Sequence, residues 1–504
     1  MLRYRGVRLF GVIICASVAI CSSAGGARSS SWRLARSLDR VLERPALDRA
    51  FVGIMVKDLK TGRVLYSRNE DFLFLPASNE KLLTTAASLY WLGQDFRYST
   101  RFYAAGTTGS DSILHGDLVV VGSGDPSFSK SFGIDPDSVF VSWAESLKAK
   151  GISRIGGSIL VDESVFDSER LGYGWDWHYL SSWYAAEVSA FSYNDNSVLI
   201  DVFPGDSVGQ PASVSLSPPT SFVSVSNAVF TSSSGRGCEV RAFRVPSTND
   251  ISLSGSLAVD EEKTSLRVSV SNPALFFAHR LLEVFKTDSA GIDGEFYVCD
   301  SAPAGTTLLF SYHSPELETI IAITNKESGN LGAEMLFKTM GARLFGKGTF
   351  ENGARAVKGY LSTIGVDSSM CLTVDGSGLS RRNLVSPRAL VKLLSADWSE
   401  DSLGVLGNSL SVSGLDGTLK GRMKKEPLAG RVHAKTGTLD QASALSGYVI
   451  TTSGRHIAFA MLTNHFVQDP GAIKSLEDEV CAILVRYRPV SSRPWEGHRR
   501  GKVQ

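Results

Sequence analysis

Three short groups of residues in this 504-residue chain could together activate a serine as a nucleophile. They are an S-x-x-K pair at Ser78 and Lys81, an S-x-N pair at Ser328 and Asn330, and a K-T-G triplet at 435–437. A serine hydroxyl is a poor nucleophile until a base removes its proton. A serine with a lysine three residues later therefore predicts nucleophilic catalysis at Ser78.

The spacing between Ser78 and Lys81 places both side chains on one face of a helix, so the amine can reach the hydroxyl. A lysine acts as a base only when it is neutral, and burial or a positive charge such as that of Lys435 lowers its pKa. The positive end of the helix under Ser78 would favour a developing oxyanion. The backbone N–H groups of Ser78 and Thr438 are predicted to complete the oxyanion hole.

The remaining residues have predicted roles in binding the substrate and moving its protons. Ser328 is expected to relay a proton to the leaving amine, and Asn330 is expected to hold the substrate amide and the lysine base. Lys435 and the hydroxyls that follow it suit a terminal carboxylate. The predicted substrate-binding residues of this segment are Thr436, Gly437 and Thr438.

Each motif recurs elsewhere in the chain, and the local context separates the copies. A second S-x-x-K at 127–130 has no apolar helical run behind its serine, whereas Ser78 opens such a run. A second K-T-G at 60–62 is what a hairpin turn needs, because its glycine tolerates positive φ. Further S-x-N pairs start at Ser192 and Ser247. Each motif alone is common, so the prediction rests on the order in which the three chosen motifs follow one another along the chain.

The elements that must position these residues lie towards the two ends of the chain, and a long stretch of different amino-acid composition separates them. From about Phe96 to Ser301 the chain is rich in Ser, Gly, Val and turn signals, which indicates an inserted, mainly β region. A hairpin and a helix on each side of it predict one α/β domain split by this insertion. The predicted elements are a hairpin at 51–66, a helix from Ser78 to Leu89, strands at 118–121 and 159–161, a helix at 331–344, a hairpin at 448–461, and a last helix capped by Asp469 with Pro470 in its first turn.

The bulk composition excludes several classes of function. Hydrophobic residues make up 43% of the chain and charged residues 20%, as in ordinary globular proteins. The formal net charge is +1, so nucleic-acid binding has no electrostatic support. The 8 histidines are scattered without metal-ligand spacing, so neither a metal site nor a cofactor is predicted. A bridge between Cys238 and Cys299 and buried free thiols both stay open for the cysteines beyond the N-terminus.

The N-terminus has the pattern of a secretory signal. Three arginines precede an apolar run from Leu9 to Ile20, and small residues follow as far as Ala27. The run is shorter than the about 20 residues that span a bilayer. A buried helix, an uncleaved anchor and lipidation of Cys21 are the alternatives, and the bulky Ile20 disfavours the last. We therefore predict an exported protein, periplasmic or elsewhere in the extracytoplasmic cell envelope, with at most peripheral membrane contact.

Further segments extend the pattern well beyond the three motifs. They include P-A-S-N-E-K-L-L-T-T-A-A around Ser78, G-S-G-D-P at 122–126, G-W-D-W at 174–177, Y-A-A-E-V-S-A-F-S-Y-N-D-N from Tyr184, S-G-N-L-G-A-E at 328–334, D-G-S-G-L-S-R at 375–381, G-L-D-G-T-L at 414–419 and A-K-T-G-T-L at 434–439. With them the chain resembles the penicillin-binding protein 4-type DD-carboxypeptidase/endopeptidases (peptidase family S13). The motif trio itself is shared with other penicillin-binding proteins and with class A β-lactamases.

The resemblance implies a transpeptidase/β-lactamase-like α/β (α+β) domain with an antiparallel sheet and helices, interrupted by two small β-rich domains. It also implies hydrolysis of D-Ala-containing peptidoglycan stem or cross-link peptides through an acyl-enzyme on Ser78, and covalent binding of β-lactam antibiotics. The predicted parts are a signal peptide at 1–27, a discontinuous catalytic domain at 32–97 and 304–489, the insertion at 98–303, and a disordered basic tail at 490–504.

Two positions depart from the family pattern. Gly329 stands where many relatives have Asp in S-x-N, a position that contributes no indispensable side chain. Tyr179 stands where relatives often have a carboxylate, two residues after the second Trp of W-x-W. The resemblance implies that this carboxylate and Arg381 grip the amino-acid end of the stem-peptide side chain. Arg381 is thus a predicted substrate-binding residue, while the diamino acid it meets, the preference between carboxypeptidase and endopeptidase activity, and the oligomeric state stay open.

Two other functions fit parts of the pattern. A β-lactamase would use the same serine, but no residue here resembles the deacylating glutamate of class A enzymes, and the interval between Lys81 and Ser328 is too long. A catalytically silent, wall-binding scaffold on the same fold is disfavoured because nucleophile, base and relay residues are all present. A hydrolase acting on D-Ala peptides is therefore the preferred prediction.

Overall fold

A computed structural model describes residues 21–288, 291–399 and 402–489 of the chain. The apolar run of the predicted signal peptide, at 9–20, and the predicted disordered tail at 490–504 lie outside these described residues. Within the described ranges, no helix combines the length and the apolar character needed to cross a membrane.

Helices occur both before and after the long β-rich stretch and also within it. In the described ranges they are α1 (Cys21–Leu42), α2 (Glu80–Leu92), α3 (Pro136–Ala149), α4 (Pro273–Asp288), α5 (Leu317–Lys326), α6 (Asn330–Phe345), α7 (Phe350–Thr363), α8 (Pro387–Asp397), α9 (Val405–Asn408) and α10 (Pro470–Val485). The helices predicted behind Ser78, at 331–344 and after Asp469 correspond to α2, α6 and α10. The Asp469 carboxylate caps α10 by accepting the N–H of Gly471.

The strands are short, as is usual for a protein with several small sheets. The first group is β1 (Phe51–Asp58), β2 (Val64–Arg68), β3 (Ser99–Thr108), β4 (Ile113–Val121), β5 (Arg154–Ile155), β6 (Ile159–Asp162), β7 (Ser197–Phe203), β8 (Ser213–Ser217), β9 (Ser224–Ser232) and β10 (Arg241–Arg244). The second group is β11 (Asp250–Ala258), β12 (Thr264–Ser269), β13 (Gly291–Ile292), β14 (Phe296–Cys299), β15 (Thr307–His313), β16 (Cys371–Leu372), β17 (Leu384–Val385), β18 (Ser411–Val412), β19 (Val432–Leu439), β20 (Ala442–Ile450) and β21 (His456–Asn464).

One six-stranded antiparallel sheet joins the two ends of the chain. Its strand order is β18-β19-β20-β21-β1-β2, and β1 pairs with β21 from Phe51 opposite Asn464 to Asp58 opposite Ile457. The hairpin near the N-terminus is thereby added to the C-terminal strands. The predicted α/β fold class with an antiparallel sheet and helices is confirmed.

Both faces of this sheet are buried, because helices cover each side. Successive side chains of a strand point to opposite faces. On β1, Ile54 and Val56 pack with residues of α1 and α10, such as Leu38 and Val480. The intervening Met55 packs with residues of α2 and α8 on the other face. Since α2 carries Lys81 and directly follows Ser78, the candidate site lies on the side of the sheet that α2 and α8 cover.

The stretch from β3 to β15 forms sheets and a core of its own. It contains a seven-stranded sheet and two three-stranded sheets, ordered β10-β11-β9 and β12-β7-β8. The helices α3 and α4 pack in the same core, with Phe140, Trp143 and Phe277 in contact. These two helices were not predicted, although the apolar residues of α3 recur at helical spacing. The bounds 98–303 and the division into two small domains stay predictions.

The cysteines beyond the N-terminus are free. Cys238 lies beside Leu257 of β11, whereas Cys299 ends β14 in the seven-stranded sheet. The two residues belong to different sheets, so the open alternative of a Cys238–Cys299 bridge is wrong. The alternative of buried free thiols fits Cys481, but Cys238 is exposed.

Candidate active site

Ser78 lies in a tight turn that leads directly into α2. The turn is a 3-10 helix from Ala77 to Asn79, and Ala77 has a φ of 47°, in the left-handed region that alanine seldom adopts. The α-helix therefore begins at Glu80, two residues later than predicted, while Lys81 keeps its place in the first helical turn. The bend leaves Ser78 partly exposed at the surface of a cleft.

The Lys81 amine touches the Ser78 hydroxyl and two further acceptors. Its Nζ lies 2.9 Å from Ser78 Oγ, 2.6 Å from Asn330 Oδ1 and 2.7 Å from the carbonyl oxygen of Ser377. The side chain is fully buried. Burial lowers the pKa of Lys81 to about 7, against the opposing effect of nearby carboxylates, the first of them Glu334. A neutral amine held in this way can accept the serine proton while it donates to its other two partners.

The S-x-N segment faces Lys81 from the start of α6. Asn330 is the first residue of that helix, and its Oδ1 accepts from Lys81 while its Nδ2 donates to the carbonyl oxygen of Tyr184 at 2.7 Å. These two contacts fix which way the amide points. A Cβ on Gly329 would meet nothing within 4 Å, so this middle position makes no contact that a larger side chain would disturb.

Lys435 occupies the strand on the opposite side of Ser328. It lies on β19 and is fully buried, and its Nζ donates to Ser328 Oγ at 2.8 Å. Burial, and then the charge of Lys81, lowers the pKa of Lys435 well below its usual range. On the same strand, Thr436 donates to the hydroxyl of Thr418 at 2.8 Å. The predicted relay serine and the predicted carboxylate-binding lysine are thus in direct contact.

Gly437 permits β19 to lie against the Ser78 turn. A Cβ at this position would be 2.7 Å from the carbonyl oxygen of Pro76 and 3.1 Å from the backbone nitrogen of Ser78. Gly378 permits an equally close approach from the other side of the turn, since a Cβ there would overlap the Ala77 carbonyl oxygen. Thr438 follows Gly437 and is exposed at the cleft. The nucleophile is held between two backbone segments that side chains would push apart.

Two buried carboxylates that the sequence motifs did not single out hold the loop that touches Lys81. Glu334 accepts the N–H groups of Gly376 and Ser377, each at 2.8 Å. Asp375 accepts the N–H of Gly378 at 2.8 Å. Burial, and then the charge of Asp375, raises the pKa of Glu334 to about 8. A signal for Glu334 exists in the sequence, because it follows Asn330 by four residues and so shares its helix face.

A cleft of about 430 Å³ runs past the nucleophile, and Arg381 lies next to Asp440 in its wall. Tyr179 and Asp440 line it, and Arg381 donates to the backbone carbonyl of Asp440 at 2.8 Å. The pKa of Asp176 is lowered, most of all by the hydrogen bond from the backbone N–H of His178. The positive charge of Arg381 lowers it further. Where a carboxylate was expected at Tyr179, this part of the cleft instead has Asp176 and Asp440 close by.

The competing motif copies lie elsewhere. Ser127 is fully buried and Lys130 is exposed, so that pair does not form a serine–lysine contact. The 60–62 segment joins β1 to β2, with Gly62 at a φ of 69°. In the described part of the chain, no group of three or more His, Cys, Asp or Glu side chains could hold a metal ion.

Comparison with known proteins places this geometry in a family. A model of the D-Ala-D-Ala carboxypeptidase 3 (S13) family matches residues 34–486. A D-alanyl-D-alanine carboxypeptidase of Actinomadura sp. (strain R39) is 34% identical over 503 residues, covering 96% of this chain and 90% of that protein. The crystal structure of penicillin binding protein 4 from Haemophilus influenzae shares the fold, with a TM-score of 0.80 at 24% identity over 89% of this chain and 99% of that one. A complex of that protein with a β-lactam matches with a TM-score of 0.74 at 23% identity, over 90% of this chain and 99% of that one.

Proposed function

Because the chain belongs to the D-Ala-D-Ala carboxypeptidase 3 (S13) family and is a serine-type D-alanyl-D-alanine carboxypeptidase, we propose that Ser78 forms its acyl-enzyme. The observation that carries the proposal is the 2.9 Å contact between Ser78 Oγ and the Nζ of Lys81, a fully buried lysine. Its pKa of about 7 provides the neutral amine that an alcohol nucleophile needs.

In the acylation step Lys81 takes the Ser78 proton and Oγ attacks the carbonyl carbon of the penultimate D-Ala. The carbonyl oxygen becomes an oxyanion, which the backbone N–H groups of Ser78 and Thr438 stabilise. The positive end of α2 adds to this stabilisation. Asn330 keeps Lys81 in place through its Oδ1 and is oriented by Tyr184. These contacts are made before substrate arrives, so little reorganisation is needed.

Collapse of the tetrahedral intermediate breaks the peptide bond and requires a proton on the leaving amine. Ser328, whose oxygen accepts a hydrogen bond from Lys435, gives its hydroxyl proton to the amine. The proton that Lys81 took from Ser78 then restores the Ser328 hydroxyl, so that Lys81 is neutral again. Water then attacks the acyl carbon and releases the peptide, with Lys81 again as the base. If the amine belongs to a free D-Ala, the reaction is that of a carboxypeptidase. If it belongs to a second stem peptide, the reaction is that of an endopeptidase.

The substrate carboxylate lies at Lys435, Thr436 and Thr438 in this proposal. A carboxylate beside Lys435 would favour its charged form and so raise its pKa in the complex. Arg381, which donates to the backbone carbonyl of Asp440 in the cleft wall, meets the amino-acid end of the stem-peptide side chain. β-Lactams acylate the same serine, but their ring amine stays attached to the acyl group and does not depart.

We also place the protein outside the cytoplasmic membrane, in the periplasm or the cell envelope, where peptidoglycan stem peptides are found. The support for this location is the n-region, the apolar run and the small residues of the N-terminal sequence. The Haemophilus influenzae protein of the same fold has been solved in complex with a β-lactam, which supports β-lactams as ligands of this site.

Fluorescent penicillin and a D-Ala-D-Ala pentapeptide test the assignment together. We expect wild-type protein to label covalently and to release D-Ala, and Ser78→Ala to do neither. The matched control is Ser127→Ala, which changes the serine of the other S-x-x-K copy and is expected to keep both activities. Labelling that survives Ser78→Ala, or is lost in a folded Ser127→Ala variant, would overturn the proposal.

A further inference from the structure

A second cleft, of about 360 Å³, adjoins the catalytic cleft across the segment 327–330. Trp183, Glu327 and Asn330 line both clefts, so the two form one continuous surface around this segment. The outer walls of the second cleft come from the stretch between β3 and β15, and its inner wall comes from α5 and α6. None of the mechanism described above uses this space.

A fixed guanidinium lies on the outer wall. Arg267 donates to the Asp195 carboxylate at 2.7 Å and to the Ser197 hydroxyl at 3.1 Å, and its guanidinium carbon lies 4.8 Å from the ring centre of Trp183. The Arg267 side chain stays 29% exposed. These contacts hold the guanidinium in one place and leave part of its donor set facing the cleft, where a carboxylate could bind it.

The inner wall supplies donors that have no partner of their own. It includes the first turn of α6, a 16-residue helix whose start has no side-chain cap. Thr324 also lines the cleft. It is only 1% exposed, and its Oγ1 finds no hydrogen-bond partner within the described chain. Gly332 faces this hydroxyl so closely that a Cβ there would lie 2.7 Å from Oγ1. A helix start, an unpartnered hydroxyl and a guanidinium together make a receptor for an anionic group.

Charges of both signs surround this receptor. Asp195 is held by Arg267, and Lys326 forms an ion pair with Asp416 at 2.5 Å. Glu327 is exposed on the rim between the two clefts. A polyanion would meet these carboxylates, whereas a peptide that carries both carboxylates and amines would fit them.

We propose that the second cleft binds the stem peptide that carries the leaving amine in cross-linked peptidoglycan, with a carboxylate of that peptide on Arg267 and the first turn of α6. This inference rests on the proposed function, because Ser328, the proton donor to the leaving amine, lies within the segment that separates the clefts. A free D-Ala would leave the second cleft empty. A cross-linked substrate has a complete peptide to place beyond that amine, so the cleft favours endopeptidase action.

The test compares a cross-linked muropeptide dimer with the disaccharide-pentapeptide monomer. For Arg267→Gln we expect kcat/KM on the dimer to fall about tenfold, chiefly through KM, with the monomer within about twofold of wild type. Thr324→Val removes only the unpartnered hydroxyl, and we expect a fall of about threefold on the dimer alone with an unchanged or higher Tm. The matched control is Lys263→Gln, which removes an exposed lysine paired with Asp201 and should affect neither substrate.

Equal losses on both substrates, or no loss on the dimer in a folded Thr324→Val variant, would overturn the inference. Because both substrates carry the disaccharide, a glycan site would lower kcat/KM for the two alike. The proposed function fails by a different result, namely absence of D-Ala release from the monomer by wild-type protein. Penicillin labelling of each variant at the wild-type rate shows that Ser78 is still activated.

Discussion

The acylation rate should depend on pH through Lys81. The deprotonated amine is the base, so the rate rises as the pH rises through the pKa of about 7. About half of the Lys81 amines are neutral at pH 7, about a tenth at pH 6 and about a hundredth at pH 5. A lysine with the usual pKa of about 10.4 would be neutral in only about one molecule in 2,500 at pH 7. Burial of Lys81 therefore raises the fraction of neutral amine at pH 7 by about a thousandfold.

The measurement is the second-order rate of labelling by fluorescent penicillin between pH 5 and pH 9. We expect a tenfold fall for each pH step below the midpoint and a plateau about one step above it. Thermal unfolding measured at each pH is the control, because the protein must stay folded at low pH for the fall in labelling rate to be assigned to Lys81. A rate independent of pH from 5.5 to 8, or a midpoint near that of an ordinary lysine, would refute the assignment of Lys81 as the base.

Three further predictions follow from the same contacts. Lys81→Arg places a guanidinium that cannot lose its proton next to the serine, so penicillin labelling should slow by about a thousandfold or more while the protein stays folded by circular dichroism. Gly437→Ala brings a Cβ to 2.7 Å from a carbonyl oxygen of the nucleophile turn, so labelling should fall about a hundredfold, with a loss of about 1–3 kcal/mol in a urea titration. Arg422→Met leaves the 1%-exposed Glu477 without its cation and should cost about 3–5 kcal/mol of unfolding free energy, whereas Arg44→Met, at an exposed ion pair, should leave the unfolding free energy close to that of the wild type.

Local spacing was enough to predict the groups that act through their own side chains. Ser78 and Lys81 lie one helical turn apart, and the structure brings Ser328, Asn330 and Lys435 to them. The order of the motifs and the longer matching segments led to the family, which comparison with known proteins confirmed.

The two backbone carbonyl oxygens that hold Asn330 and Lys81 in place were not predicted from the sequence. Tyr184 orients Asn330 with its carbonyl oxygen, a group that every residue type has. Ser377 likewise touches Lys81 through its carbonyl oxygen, and its loop is held by Glu334 from another helix. Such contacts depend on how distant segments pack, and side-chain type does not reveal them. The helices α3 and α4 were missed for another reason, since the surrounding Ser- and Gly-rich texture obscured their apolar spacing.

The hydrogen bond from Asn330 to the Tyr184 carbonyl has a consequence for how the protein matures. Ser78 emerges early during synthesis, Tyr184 follows about a hundred residues later, and Lys435 is made near the end. An N-terminal fragment that ends before Lys435 lacks part of the constellation, so a nascent molecule of that length has a serine without all of its activating partners. Penicillin labelling therefore reports on completed folding, and a pulse of the antibiotic during refolding would mark the moment at which the last strand has joined the sheet.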